Sequence, residues 1–316
     1  VRSIIFDSQG TPSAQAAAFD EDLLRAEILT NGEKTTVTPQ SEPARQPSET
    51  IEEIYQALVL GTRDYAHKSG FQKVLVGLSG GIDSSVVACI AAEAMGTENV
   101  TAVTMPSKFS SSGTRSDAEK LAKNLAIDFF EIPIQPIVEQ FDTELANIKG
   151  WSNQSVAYEN LQARTRGTIL MSLSNQFGAM VLASGNKSEM AVGYATLYGD
   201  MAGGFAVIKD VAKTLVYSLA EYINRRAGVA VIPQDVLRRA PSAELREDQK
   251  DTDSLPDYDL LDKILKGYIE QDKSAEELIS QGLPQAEVLG VIEMVDKNEY
   301  KRRQAPPGVK ITAKAF

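Results

Sequence analysis

The chain has 316 residues, of which 43% are hydrophobic and 24% are charged, a composition typical of ordinary globular proteins. Its net charge of −11 disfavours nucleic-acid binding by the bulk surface, and no apolar run approaches the roughly 18 residues that a membrane-spanning helix needs. One cysteine and one histidine exclude an internal disulfide, a His-based triad and a metal site with several imidazoles, and favour a cytoplasmic location.

The first fifty residues differ from the rest of the chain. Residues 1–30 predict a strand at Ser3–Asp7, a turn, and a second segment that reads FDEDLLRAEI. Residues 31–50 are polar and contain prolines, so we predict a linker there and a main domain over residues 51–316. Because the sequence begins without methionine, we expect it to be a piece of a longer chain.

The stretch KVLVGLSGGIDSSVVACIAAEAMG, residues 73–96, predicts a buried strand, a glycine turn and a helix. The turn is Ser-Gly-Gly at 79–81, whose small side chains leave backbone N–H groups open to an anion at a helix N-terminus. The alternative is a plain strand-to-helix turn in which Asp83 or Ser84 caps the helix. The flanking hydroxyls and the acid favour phosphate binding.

Strands and helices alternate along the rest of the main domain. The strands VTAVTMP, FFEIPI and GAMVLASG are separated by helical patterns. This alternation predicts an α/β fold with a doubly wound, Rossmann-like parallel sheet and helices on both faces. Ligands of such folds bind at the carboxyl ends of the strands, where the loops SGGIDSS, MPSKFSS and ASGNKSE all fall.

The glycine loop lacks the Lys-Ser/Thr pair of a Walker loop and does not match the GxGxxG of dinucleotide-binding folds. SGGIDSS instead resembles the loop of the ATP pyrophosphatases, which cleave ATP between its α- and β-phosphates. A bare acid here would repel phosphate, so we interpret Asp83 as a ligand of Mg²⁺. Carboxylate activation by adenylation needs no protein nucleophile, and Cys89 is predicted to be a buried core residue.

Four separated blocks carry a closer resemblance: GLSGGIDSS, ENLQARTRG, ASGNKSEMAVGYATLYGDMAGGF and NEYKRRQAPPG. They resemble NAD⁺ synthetases, and in particular the synthetase portion of the glutamine-dependent form, over about residues 51–316. Residues 1–30 resemble the closing strands of the nitrilase-like amidohydrolase domain that precedes the synthetase in that form. The catalytic Glu, Lys and Cys of that domain have no counterpart in this sequence.

The resemblance implies an ATP- and Mg²⁺-dependent ligase that adenylates deamido-NAD⁺, releases pyrophosphate, and lets ammonia displace AMP to give NAD⁺. It also implies a homodimer or higher homo-oligomer, a glutaminase domain in the parent chain, and no nucleic-acid or membrane partner. Two alternatives stay open: another enzyme of the loop family that amidates or thiolates a nucleotide or tRNA, and a non-catalytic nucleotide sensor. We expect residues 106–115 and 240–262 to act as lids, since adenylates must be shielded from water.

The resemblance also implies roles for individual residues. Asp83 and Glu189 would hold magnesium, and Asp83, Lys213 and Asp200 would act in catalysis. The positions implied for ATP binding are Gly77, Leu78, Ser79, Gly80, Gly81, Ile82, Asp83, Ser84, Ser85, Ser184, Lys213 and Ser242. The positions implied for deamido-NAD⁺ binding are Asn160, Arg164, Glu189, Asp200 and Lys301, the last with Arg302 in a basic tail segment.

These assignments have structural alternatives. Glu189 could be an exposed acid in the first turn of a helix, where the helix dipole favours it. Arg164, four residues after Asn160 on one helix face, could form a surface ion pair, and Lys213 could be solvated. Leu197 stands where the small ammonia-dependent enzymes have a lysine, which puts one substrate contact in doubt.

Overall fold

The computed structural model describes residues 3–32, 34–40 and 49–315. The chain divides into two compact units, Val1–Leu60 and Gly61–Phe316, and the boundary falls within helix α1 (Thr50–Lys68). Within the described residues, no helix is both long and apolar enough to cross a bilayer.

The first unit contains two antiparallel hairpins. Strand β1 (Ile4–Phe6), which the sequence predicts, pairs with β2 (Pro12–Gln15), and β3 (Ala26–Asn31) pairs with β4 (Lys34–Pro39). Strand β4 lies where a linker is expected, and that part of the prediction is wrong. Its sequence KTTVTP is rich in β-branched residues, which favour strands even when they are polar.

Residue 33 and residues 41–48 of the predicted linker lie outside the described part of the chain. The prediction that residues 1–30 come from an amidohydrolase domain stays a prediction.

The second unit is built on a parallel sheet, as the sequence predicts, and the sheet has five strands. Its strands are β5 (Lys73–Gly77), β6 (Val100–Thr104), β7 (Asp128–Glu131), β8 (Ala179–Ala183) and β9 (Phe205–Ala206), in the order β7-β6-β5-β8-β9. The pairing places Val74 opposite both Val100 and Met180. The chain runs outward from β5 to one edge and then crosses to β8 on the other side, so the winding reverses between β5 and β8.

The helices after α1 have the bounds α2 (Ile82–Met95), α3 (Ser112–Leu125), α4 (Gln135–Leu145), α5 (Val156–Phe177), α6 (Lys187–Val192), α7 (Lys213–Ala227), α8 (Gln234–Arg238), α9 (Tyr258–Leu265), α10 (Ala275–Ser280), α11 (Gln285–Lys297) and α12 (Glu299–Arg302). Helix α5 packs on β5 and β8, while α2 packs on β5, β6 and α7. Residues 251–253 form a short 3₁₀ helix, and residues 266–270 form a short π-helix.

Two apolar clusters hold this unit together. One joins the sheet to α5 through Leu75, Val103 and Val181, which are 0–2% exposed. The other joins α6, α9 and α11 through residues such as Leu261 and Val291, both fully buried. The second cluster fixes α6, a helix of only six residues, in a layer of longer helices. Crevices of doubly wound sheets lie where the winding reverses, here between the ends of β5 and β8.

Candidate active site

A cavity of about 290 Å³ opens at the carboxyl ends of β5 and β8. Its wall contains the glycine loop, the first turns of α2 and α3, the middle of α5, and the segments that follow β8 and α8. The three loops that the sequence places at this edge therefore meet around one space. Parts of both predicted lids, residues 106–115 and 240–262, belong to the wall, and their movement stays a prediction.

One position of the glycine loop has a backbone conformation that only glycine fits. Gly80 has φ +82°, and a Cβ at this position would lie 2.1 Å from the carbonyl oxygen of Thr114. The loop is tied to the sheet by the N–H of Leu78, which donates to the carbonyl of Val103 at 2.9 Å. The loop thus passes directly against the start of α3, with no room for a side chain.

The hydroxyls of the loop hold its shape. The Oγ atoms of Ser84 and Ser85 donate to the carbonyl of Gly81 at 3.1 and 2.7 Å, and Ser79 Oγ accepts from the N–H of Gly81 at 3.2 Å. Gly81 itself is the N-cap of α2, and none of the described side chains caps this helix. The alternative in which Asp83 or Ser84 is the N-cap is therefore wrong. The uncapped N-terminus of α2 is suited to an anion.

Asp83 and Glu189 meet at the ammonium group of Lys213. Lys213 Nζ donates to Asp83 Oδ2 at 2.6 Å and to Glu189 Oε1 at 2.9 Å, and the lysine side chain is 3% exposed. Asn186 fixes both acids, because its amide donates to Asp83 Oδ1 at 2.9 Å and its oxygen accepts from the N–H of Glu189 at 3.0 Å. The alternatives of a solvated Lys213 and a surface Glu189 do not hold.

Burial and charge set the protonation of this group. Burial raises the pKa of Glu189 to about 7, against the opposing effect of Lys213. Burial alone would lower the pKa of Lys213, but the charges of Asp83 and Glu189 outweigh it and hold that pKa above its ordinary value. Lys213 is therefore a fixed cation at the mouth of the glycine loop, and the ring of Tyr258 lies 5.1 Å from its ammonium.

The donor set suits a magnesium ion that is shared with a substrate. Asp83 and Glu189 converge on one point, although among the described residues no cluster of three or more His, Cys, Asp or Glu side chains could hold a metal. Mg²⁺ is commonly bound by one or two carboxylates together with substrate phosphates rather than by a cage of protein ligands. Two acids beside a glycine loop at an uncapped helix N-terminus fit that pattern.

The cavity gathers most, but not all, of the residues implied by the resemblance. Those in its wall are Gly77, Leu78, Ser79, Gly80, Gly81, Ile82, Asp83, Ser84, Ser184, Glu189, Asp200, Lys213 and Ser242. Ser85, Asn160, Arg164 and Lys301 are not among the described residues that form the wall.

Asn160, Arg164 and Lys301 instead surround the segment that leads to Asp200. Asn160 accepts from the hydroxyl of Thr196 at 2.8 Å, and Arg164 donates to the carbonyl of Leu197 at 3.2 Å. Lys301 donates to two backbone carbonyls that follow α6, at 2.7 and 2.8 Å. In this arrangement the three side chains hold residues 193–200, and their contact with a substrate stays a prediction.

The cavity wall contains two cations, Arg166 and Arg239, that the sequence analysis does not assign to the site. Arg166 lies in the wall, is half-buried, and donates to the carbonyl of Met105 at 3.0 Å; desolvation lowers its pKa to about 10. Arg239 donates to the carbonyl of Gly80 at 3.2 Å and to the buried carboxylate of Asp117 at 2.5 Å. Arg166 stands in the same sequence block as Arg164, two residues further along α5.

Tyr258 and Asp251, which the sequence does not single out, connect the predicted lid at residues 240–262 to Glu189. Tyr258 donates to Asp251 Oδ2 at 2.8 Å and lies 3.4 Å from Glu189 Oε1. Burial, followed by the charges of Glu189 and Asp251, raises the pKa of Tyr258, so its hydroxyl stays a neutral donor. No local sequence signal distinguishes these residues from other polar side chains of an acidic segment.

Cys89 is a core residue, as the sequence predicts. It is 4% exposed, and burial together with Glu93 raises the pKa of its thiol to about 12. The thiolate is the nucleophilic form of cysteine, so Cys89 is unreactive at neutral pH.

The family model described as NAD synthase matches residues 54–305 of the chain. The chain belongs to the NAD synthase family. It is 49% identical over 314 residues to the glutamine-dependent NAD(+) synthetase of Acinetobacter baylyi, and covers 57% of that protein. It thus spans little more than half the length of this curated relative.

Two solved structures show the same fold. The glutamine-dependent NAD⁺ synthetase of Acinetobacter baumannii, in complex with ADP, superposes with a TM-score of 0.68 at 46% identity over 97% of this chain and 55% of that one. NMN synthetase from Francisella tularensis superposes with a TM-score of 0.67 at 29% identity, over 80% of this chain and 95% of that one. The resemblance drawn from the four sequence blocks is confirmed.

Proposed function

We propose that the protein is an ATP-dependent amide ligase that converts deamido-NAD⁺ to NAD⁺ through an adenylated intermediate. The observation that carries the proposal is the buried Lys213, held between Asp83 and Glu189 at the mouth of a pyrophosphate-type loop. Membership of the NAD synthase family supports the choice of substrate. ATP is the proposed co-substrate, and the A. baumannii relative was solved with ADP.

The reaction has two displacement steps. A carboxylate oxygen of deamido-NAD⁺ attacks the α-phosphorus of ATP, the bond between the α- and β-phosphates breaks, and pyrophosphate leaves. The nitrogen of ammonia then attacks the activated carbonyl carbon, the acyl–oxygen bond breaks, and AMP leaves with both electrons of that bond. A proton is lost from nitrogen. Neither step requires a nucleophile from the protein.

The side chains of the cavity would act by electrostatics and positioning. The uncapped N-terminus of α2 and the ammonium of Lys213 present fixed positive charge where the phosphates of ATP would lie. Mg²⁺ bound by Asp83 and Glu189 would neutralise charge as pyrophosphate leaves.

Other proposed roles follow the positions in the cavity wall. Ser184 and Ser242 would contact ATP, and Asp200 would face the incoming amine or the nicotinate end of the substrate. Ser242 is already oriented, since its hydroxyl donates to the carbonyl of Gln249 at 2.6 Å. We further propose a homodimer or higher homo-oligomer and a cytoplasmic location.

A second candidate is the synthesis of NMN, the activity named for the F. tularensis protein of similar fold. Its identity to this chain is 29%, against 49% for the A. baylyi NAD(+) synthetase, which favours deamido-NAD⁺. Steady-state kinetics with the deamido forms of NAD⁺ and of NMN would decide. A higher kcat/KM for the mononucleotide would replace the proposed substrate.

The first prediction concerns the products from ATP. With deamido-NAD⁺, ATP and ammonium, the protein should form AMP and pyrophosphate in equal amounts with NAD⁺, because the loop lacks the Walker lysine. Chromatography of the nucleotides measures this directly. ADP as the stoichiometric product would contradict the proposal.

The second prediction concerns the nitrogen source. Ammonium should support NAD⁺ synthesis by this polypeptide and glutamine should not, because glutamine hydrolysis in the parent form takes a Cys nucleophile. Cys89 is buried, with a raised pKa. The control is Cys89→Ala, which should leave ammonium-dependent activity within about twofold, since a buried Cys behaves as a small hydrophobe. Glutamine-dependent synthesis free of contaminating ammonia would show an amidotransferase site.

A further inference from the structure

A second buried charge cluster is built around Lys187, two residues before Glu189. Lys187 Nζ contacts Asp210 Oδ1 at 2.9 Å and Glu270 Oε1 at 2.8 Å. The side chains of Lys187 and Asp210 are each 3% exposed. Neither residue is in the wall of the cavity among the described residues, so the cluster is separate from the phosphate-binding site.

Residues 311–314 complete this cluster. The backbone N–H groups of Ile311 and Thr312 both donate to Asp210 Oδ2 at 2.7 Å. Lys187 Nζ also donates to the hydroxyl of Thr312 at 2.5 Å and to the carbonyl of Lys314 at 2.9 Å. A buried carboxylate left without donors is costly, so residues 311–314 are required to satisfy the charges of Lys187 and Asp210.

The cluster lies on the two segments that carry the site. Lys187 and Glu189 share the first turn of α6, and Asp210 comes three residues before Lys213. The segments are joined at successive residues: the N–H of Lys187 donates to the carbonyl of Val211 at 2.9 Å, and the N–H of Lys213 donates to Ser188 Oγ at 2.8 Å. The contact between Glu189 and Lys213 is the next in this series.

We infer that Lys187 is a positioning residue for the ligase reaction. Its ion pair with Asp210, to which Thr312 is hydrogen-bonded, fixes the position of α6 relative to the start of α7. This position sets the distance between Glu189 and Lys213. A buried ion pair is weak evidence for stability, but it can specify one arrangement of the segments that it joins. The inference rests on the proposed function, because it assigns Lys187 a role in that reaction.

The test uses the matched pair Thr312→Val and Thr312→Ser together with Lys187→Met. Thr312→Val removes the hydroxyl at nearly constant volume, and we expect kcat to fall by about 10-fold with the KM for ATP changed by less than about twofold, since small misplacements of reacting groups cost rate. Thr312→Ser keeps the hydroxyl and should restore kcat. Lys187→Met should lower kcat by about 100-fold.

A double-mutant comparison separates positioning from general loss of stability. Each variant is repeated in a Glu189→Gln background, where the contact that Lys187 is inferred to fix is already weakened. We expect the effect of Thr312→Val on kcat to shrink to less than about twofold there, because coupled residues are not additive. An equal fold-loss in both backgrounds would overturn the inference. Lys310→Met, an exposed change in the same segment, is the control.

A structural readout keeps the test independent of the reaction. In a crystal structure of Thr312→Val we expect the distance from Lys213 Nζ to Glu189 Oε1, 2.9 Å in the native chain, to exceed 4 Å. An unchanged contact would overturn the inference even if activity fell. If the native chain forms no AMP from ATP, the proposed function fails, while this distance still decides whether the cluster positions Glu189 and Lys213. If Lys187→Met does not fold, the Thr312 pair decides alone.

Discussion

Asp83→Asn is expected to lower the rate of AMP formation by about 10²- to 10³-fold, the size of effect seen when one preorganised electrostatic contact is removed. Asp83 Oδ2 accepts from Lys213 Nζ at 2.6 Å, and Oδ1 accepts from Asn186 at 2.9 Å. An asparagine offers one oxygen for two donors, so its NH₂ group must face either an ammonium or another amide. The substitution also removes one of the two carboxylates proposed to hold Mg²⁺.

The fold should survive this change. Lys213 keeps Glu189 as a partner, and the side chain of Asp83 is 18% exposed rather than fully buried. We therefore expect the free energy of unfolding to fall by about 1–3 kcal/mol, the cost of one lost charged hydrogen bond. Glu189→Gln should behave in the same way. Thermal unfolding followed by circular dichroism measures the loss of stability. Nucleotide analysis measures the rate of AMP formation.

A matched control comes from the same helix. Glu93 lies on α2 with Asp83, but its side chain is 37% exposed and pairs with Arg226 at 2.7 Å on the surface. Exposed pairs contribute about 0–1 kcal/mol, so Glu93→Gln should leave activity and stability nearly unchanged. If Asp83→Asn or Glu189→Gln kept activity within tenfold of the native chain at low Mg²⁺, the proposed two-carboxylate site would be wrong.

The fold could be predicted from the sequence because its signals are local. The strand at 73–77 and the helix at 82–95 follow from apolar periodicity and a glycine turn over a few residues. The hairpin strand Lys34–Pro39 was not predicted because most of its β-branched residues are polar threonines and prolines lie nearby. Composition alone separates such a strand poorly from a linker.

The candidate site could be predicted only in part. Asp83 and Glu189 follow strands whose carboxyl ends must meet at one edge, and so their convergence follows from topology. Lys213, which lies between the two acids, is 130 residues from Asp83 and 24 residues from Glu189 along the chain. The bond from Arg239 to Gly80 spans 159 residues. Such pairings depend on how loops pack after the sheet has formed, and no periodicity in the sequence encodes them.

Gly80→Ala is expected to be the most damaging single-methyl change in the cavity wall. At φ +82° an L-residue is strained, and the new Cβ would lie 2.1 Å from the carbonyl oxygen of Thr114. That oxygen cannot move easily, because Thr114 is held at the start of α3 by Ser111, whose Oγ accepts from its N–H at 3.1 Å. The loop must therefore shift away from α3. We expect the free energy of unfolding to fall by about 2–4 kcal/mol, the sum of backbone strain and overpacking.

Two control glycines separate these contributions. Gly178→Ala has φ +60° with no described atom within 4 Å of the new Cβ, so it should cost only the backbone strain, about 1 kcal/mol. Gly81 lacks a positive φ, and its new Cβ would meet only the movable Ser79 Oγ at 3.3 Å. Gly81→Ala should therefore change stability by less than about 1 kcal/mol.

For Gly80→Ala the KM for ATP should also rise by at least about tenfold, because the N–H groups that we propose to face the phosphates of ATP move with the loop. Unfolding free energies of the three variants in one denaturant series, with ATP kinetics for Gly80→Ala, measure this. Equal losses for Gly80→Ala and Gly178→Ala would show that the contact with Thr114 is not what requires glycine in this loop.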